Sequence, residues 1–259
     1  MKNYWAILIL SVFLFSCSKD EAASSFDENL KIKMIENIDN TSRKLTLHCF
    51  TEKNFPCSNY FIENSFTVSE NKITIHFIEI KKPNICLTSI GPAYADIDLG
   101  SLVNKNYDIE INVGKEKISG QLLVSTGSFK ANIPSQNKIQ FINPILNRIP
   151  DNTIFGTVHY HNSSTSPTVQ KFIDSLQILG ATTAIYTPGD YGRFHIEANG
   201  QIKQTQDLGY YFTRYYIFNF TGNSGQCKDL VRRFGITYPD ALLITLNNSN
   251  GQTFYSWTP

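Results

Sequence analysis

Between Leu30 and Ile133 apolar and polar residues alternate with period two, the pattern of strands that bury one face. KLTLHCF (44–50), YFIENSFTV (60–68), KITIHFIE (72–79), AYADIDL (93–99) and YDIEINV (107–113) each predict a strand, with Asn, Gly, Pro or Lys-rich breaks between them. Roughly seven to nine short strands and no helix are expected in this half. NIPSQNKIQFINPILNRIPDN (132–152) carries three prolines and little periodicity, so the domain boundary is placed there. Beyond it the period changes. TIFGTVHY (153–160) reads as a strand, and SPTVQKFIDSLQILG (166–180) as a helix with Val169, Phe172, Ile173, Leu176 and Leu179 as its apolar stripe. Ser166 is the expected cap, Pro167 suits the first turn and Gly180 the end. ATTAIYTPG (181–189) and GRFHIEA (192–198) follow as strands, with a hairpin at Asn199-Gly200. The order then repeats: strand YYFTRYYIFNF (210–220), a helix from Ser224 to Gly235, then ALLITLNN (241–248) and QTFYSW (252–257) around a second Asn-Gly turn.

The expected fold is therefore mainly β with an α+β part. An immunoglobulin-like two-sheet β-sandwich spans 29–133, a linker 134–152, and a duplicated β-α-β-β domain 153–259. Two helices on one face of a shared antiparallel sheet would cover both apolar stripes.

The chain has 259 residues, enough for one large or two modest domains. Charged residues make up 17% and the formal net charge is +1, with no basic cluster, so nucleic acid is excluded as an expected partner. Thirteen tyrosines and eighteen phenylalanines reinforce the β reading.

Residues 1–16 hold one cation, Lys2, and about ten strongly apolar residues, well short of the roughly 20 that cross a bilayer. They read as a secretory signal peptide. Leu14-Phe15-Ser16-Cys17 resembles the lipobox of bacterial lipoproteins, although Phe15 is bulkier than the usual residue there. Ser18, Lys19, Asp20 and Glu21 resemble the export signal of Bacteroidota surface lipoproteins, and the first half resembles the β-sandwich modules common on them. These resemblances imply lipidation at Cys17, a lipidated linker over 17–28, a membrane partner reached through the acyl chains, and display on the outer face of the outer membrane. Two acyl chains make a stable anchor.

Export permits disulfides. Cys57 and Cys86 flank turn signals and are the favoured pair, while Cys49 alternates with Leu45 and Leu47 as a core thiol. Cys227 shares helical spacing with Leu230, Val231 and Phe234 and is expected on a buried face. No C-x-x-C pair argues for a metal.

His159 and His161 form H-x-H on one strand, and His195 and Glu197 form H-x-E on another. If those strands were adjacent, three imidazoles and a carboxylate would suit zinc or iron. Polar residues on the wet face of a half-buried sheet are the favoured reading of the same pattern. No G-x-S-x-G, H-E-x-x-H or phosphate-cradling loop is present, so no catalytic residue is assigned. The aromatic run 210–220 is apolar on both faces, which predicts a central, covered strand rather than a sugar-stacking one. Asp190 and Arg193 in PGDYGRF (188–194) are expected to hold a turn. The expected function is a non-enzymatic binding or accessory module for an outer-membrane protein or a glycan, without a cofactor. The alternative is a metal-dependent enzyme at His159, His161, His195 and Glu197.

Overall fold

The computed structural model describes residues 26–134, 138–203, 209–210 and 212–257, so Cys17 and residues 18–21 lie outside the described residues. The alternating run forms β1 (Leu30–Ile38), β2 (Arg43–Phe55), β3 (Phe61–Val68), β4 (Lys72–Lys81), β5 (Gly91–Asp98), β6 (Asn106–Val113), β7 (Glu116–Val124) and β8 (Ser128–Asn132). Ile139–Phe141 (β9) and Ile145–Asn147 (β10) join them in a single sheet of order β10-β8-β7-β6-β4-β3-β5-β2-β1-β9. Inward-pointing residues such as Met34, Leu47, Ile75, Phe77, Ile97 and Ile111 form one continuous core. Each large apolar side chain so buried contributes about 1.5–3 kcal/mol.

The sandwich-like body is thus one curled sheet rather than two separate ones, continuous through the middle where Phe61 of β3 pairs with Tyr94 of β5. Segment 134–152, expected as a linker, supplies β9 and β10. β9 runs parallel to β1, with Ile139 opposite Leu30, and β10 runs antiparallel to β8, with Leu146 opposite Phe129. The run 139–147 therefore pairs with both outermost strands and closes the sheet. In the gap between its two halves Asn143 stands in for backbone rungs. Its Oδ1 accepts from Met34 N at 2.7 Å and its Nδ2 donates to Met34 O at 2.8 Å.

The second half contains β11 (Thr153–Tyr160), α1 (Ser166–Ile178), β12 (Gly189–Asp190), β13 (His195–Ile196), β14 (Phe212–Asn219), α2 (Ser224–Thr237), β15 (Leu243–Asn248) and β16 (Thr253–Tyr255). Four of these strands form an antiparallel sheet of order β14-β11-β15-β16. Phe172 and Leu176 of α1, with Leu230 and Val231 of α2, pack on Ile154, Val158 and Ile244, so both helices cover the same sheet face.

Four expectations change. The aromatic run lies at the edge of this sheet, not its centre, with only the Thr182–Asn219 bridge beyond it among the described residues. The two β-α-β-β units are not equivalent, because β12 and β13 form their own small hairpin. Tyr186, Tyr191, Phe194 and Ile196 pack instead against Phe155 on the face away from the helices, where that surface needs cover. Helix capping falls to asparagines: Asn162 accepts from Ser164 N at 2.9 Å in the short turn before α1, and Asn223 accepts from Gly225 N at 2.8 Å. α2 thus has a first-turn N–H met by the Asn223 carbonyl, whereas Thr165 at the N-cap of α1 makes no side-chain cap bond. α2 runs past Gly235, whose bare Cα lets Ser256 cross, since a Cβ there would stand 2.0 Å from Ser256 O.

Cys57 and Cys86 are disulfide-bonded, with Cα atoms 5.3 Å apart. Cys49 and Cys227 are free and buried. Burial pushes the Cys227 thiol up to about 11 and raises that of Cys49 as well. Among the described residues no helix is long and apolar enough to cross a membrane.

Candidate functional site

The face of the four-stranded sheet away from the helices is only partly covered. Register places its side chains in rows across the strands. One row reads Tyr215, Thr157, Thr245, Tyr255, and the next reads Thr213, His159, Leu243. Two tyrosines thus stand on the outer strands, about 14 Å apart at the usual strand spacing, with two threonines between them. This arrangement follows from local alternation. In β15, Ile244 and Leu246 turn to the helices while Thr245 and Asn247 turn to the open face. Tyr255 and Trp257 make a further exposed aromatic pair, with ring centroids 4.9 Å apart.

The β12–β13 hairpin overhangs one end of this face and encloses a cleft of about 340 Å³ with Phe155, Thr157, Tyr215, Thr245 and Tyr255. Phe194 packs on Phe155 with centroids 5.1 Å apart and forms the inner wall. Arg193 is exposed, lines the cleft, and has no hydrogen bond or ion pair among the described residues. Asp190, by contrast, holds the turn. Its Oδ1 accepts from Gly192 N at 2.8 Å and its Oδ2 from Asn143 Nδ2 at 2.9 Å. Asn247 accepts from Thr253 Oγ1 at 2.9 Å, which fixes an amide at the cleft margin. The site therefore offers aromatic faces, hydroxyl and amide groups, and one cation. A smaller cavity of about 240 Å³ beside Ser224 and Asn248 has no exposed aromatic pair.

The four residues weighed as metal ligands do not assemble. The His159 ring nitrogens face Thr157 Oγ1 and Thr213 Oγ1, both at 3.0 Å. Tyr210 stacks on the His159 and His161 rings at 4.7 and 5.1 Å. His195 lies on the hairpin opposite Asp190, with Glu197 exposed beyond it. Among the described residues no three His, Cys, Asp or Glu side chains come together as a group able to hold a metal. In the aromatic run, Tyr216, Phe218 and Phe220 belong to the helix-side core and Tyr215 to the open face. Thr157, Thr245 and Tyr255 are not among the residues that the sequence singles out, although the alternation in 241–248 marks Thr245 as facing away from the helices. Comparison of the chain with known family models, characterised proteins and solved structures finds no match.

Proposed function

We propose that the chain is a non-enzymatic binding module, held as a lipid-anchored protein on the outer face of the outer membrane, and that its ligand is a glycan bearing acidic groups. The observation that carries the ligand reading is the row Tyr215–Thr157–Thr245–Tyr255 beside Arg193, a cation without a partner among the described residues. Tyrosine faces stack on sugar rings, hydroxyl and amide groups meet sugar hydroxyls, and a guanidinium pairs with carboxylate or sulfate. The anchor reading is supported by the Leu14–Cys17 pattern and the residues after it.

Titration of the purified protein with polygalacturonate, chondroitin sulfate and neutral dextran tests the ligand. Binding of an acidic polysaccharide in preference to dextran is expected. Tyr255→Ala or Arg193→Ala should each weaken it about tenfold, the scale of one lost stacking or charged contact. Binding of neither acidic polymer, or binding unchanged in both variants, overturns the site. Palmitate incorporation at Cys17 and protease shaving of intact cells test the address separately.

A further inference from the structure

The loop from Lys82 to Ile90, between β4 and β5, turns three large aliphatic side chains to solvent. Ile85 is 79%, Leu87 56% and Ile90 77% exposed. Single exposed aliphatics are ordinary, but three on one short loop form a patch that asks for a partner. The loop is not slack. Cys86 is bonded to Cys57, and the Asn59 amide grips the backbone on both sides of it, donating to Ile85 O at 2.7 Å and accepting from Leu87 N at 3.1 Å. A covalent tie and a paired amide thus hold the side chains outward before any partner arrives, which lowers the ordering cost of contact.

Position identifies the partner. β1, β3 and β5 begin, and β2 and β4 end, at one end of the sheet: Leu30 faces Thr51, Phe61 faces Lys81, and Gly91 faces Phe55. The chain coming from Cys17 arrives at this same end. Phe26 N donates to Ile78 O at 3.1 Å, just before β4 gives way to the loop. From Cys17 to Phe26 the chain can span at most about 30 Å. Lys82, exposed at the loop's start, suits phosphate headgroups.

We propose that loop 82–90 is a second membrane contact, with Ile85, Leu87 and Ile90 entering the headgroup region of the bilayer to which Cys17 is attached. This rests on the anchor reading above. Aliphatic side chains flanked by a lysine are the composition of an interfacial contact. The contact would set the orientation of the body and turn its far end, away from β1's start, outward.

The test uses the full chain on vesicles of phosphatidylethanolamine and phosphatidylglycerol, with Leu87→Trp as a local probe read against the parent chain. Mass analysis of Cys17 reports acylation independently. The inference expects a blue-shifted emission from the introduced indole and quenching by brominated lipid beyond that of the parent. In a Cys17→Ser background, Ile85→Ser, Leu87→Ser and Ile90→Ser together should reduce vesicle partitioning about tenfold. An introduced indole left unquenched on acylated, vesicle-bound protein overturns the loop contact and leaves the anchor standing, and points to a protein partner for the loop instead. Quenching of that indole without acyl mass on Cys17 keeps the loop contact and removes the anchor. Partitioning unchanged by the triple substitution also overturns the loop contact.

Discussion

Glu36 and Arg148 lie 112 residues apart in the chain, and Arg148 Nε donates to Glu36 Oε1 at 2.8 Å. The Glu36 side chain is fully buried. Its carboxylate also takes Arg43 Nε at 3.1 Å and Nη2 at 2.8 Å, and the backbone N–H of Ile149 at 3.3 Å. Arg43 in turn donates to the Ile149 carbonyl. One carboxylate thus ties β1 and β2 to the segment that leaves the first sheet for β11. A charge taken out of water in this way persists only because each lone pair is met.

Glu36→Ala would leave Arg148 without its counter-ion and Arg43 with only the exposed Asp151, at 3.3 Å. A loss of about 3–5 kcal/mol is expected from equilibrium denaturation, the usual result of removing one member of a buried pair. Glu36→Gln keeps two polar atoms in place and should lose less. A loss below about 1 kcal/mol for both would show that the pair does not hold the halves together.

Gly156 and Gly235 test close approach. A Cβ on Gly156 would stand 1.9 Å from Thr245 O and 2.7 Å from the Tyr216 hydroxyl, which itself donates to Thr245 O at 2.8 Å. Gly156→Ala must force β11 and β15 apart, so destabilisation of about 1–3 kcal/mol or more is expected. Gly235→Ala pushes on Ser256 and so on Tyr255 and Trp257 beside it. The protein should stay folded by circular dichroism while polysaccharide affinity falls.

Glu110 gives a pH dependence of defined sign. Hydrogen bonds from Lys117 at 2.8 Å and Lys72 at 2.9 Å hold its carboxyl down, from 4.5 to about 2. A carboxyl depressed in the folded state adds stability above its unfolded pKa and loses it as pH falls towards the folded value. Glu110→Gln should therefore melt earlier than the parent near neutral pH. The gap should close as the pH drops from about 4.5 to about 2. Melting curves across that window check it. A gap that widens on acidification would contradict the assignment.

Cys49 and Cys227 should resist thiol reagents in the native protein and react once it is denatured, since both are buried with raised pKa. Reducing Cys57–Cys86, separated by 29 residues, should lower stability by about 3–4 kcal/mol if the bond acts by restricting the unfolded chain. Rapid labelling of Cys227 in the native state would mean that α2 opens readily.

Long periodic stretches are legible because each strand or helix there faces a core on one side. The alternation in 44–50 and the stripe Val169, Phe172, Ile173, Leu176 need no tertiary information. β9 and β10 are not legible: three residues are too few to show a period, and their pairing depends on where β1 and β8 end up. The hairpin over Phe155 is hidden for a similar reason. Tyr186, Tyr191 and Phe194 are buried by contact with a distant sheet, not by local alternation. The binding face falls between these cases. Its threonines follow from the alternation within their strands, but its row of four side chains exists only through the register of strands far apart in sequence.

Closure of the first sheet by 139–147 also determines how the protein can be divided. A fragment ending near residue 133 would strip β1 and β8 of their outer neighbours, baring two ribbons of unsatisfied amide and carbonyl groups. Such ribbons recruit one another between molecules, so that piece should precipitate rather than fold alone. The first lobe becomes transferable to another protein only as a unit carried through Asn147.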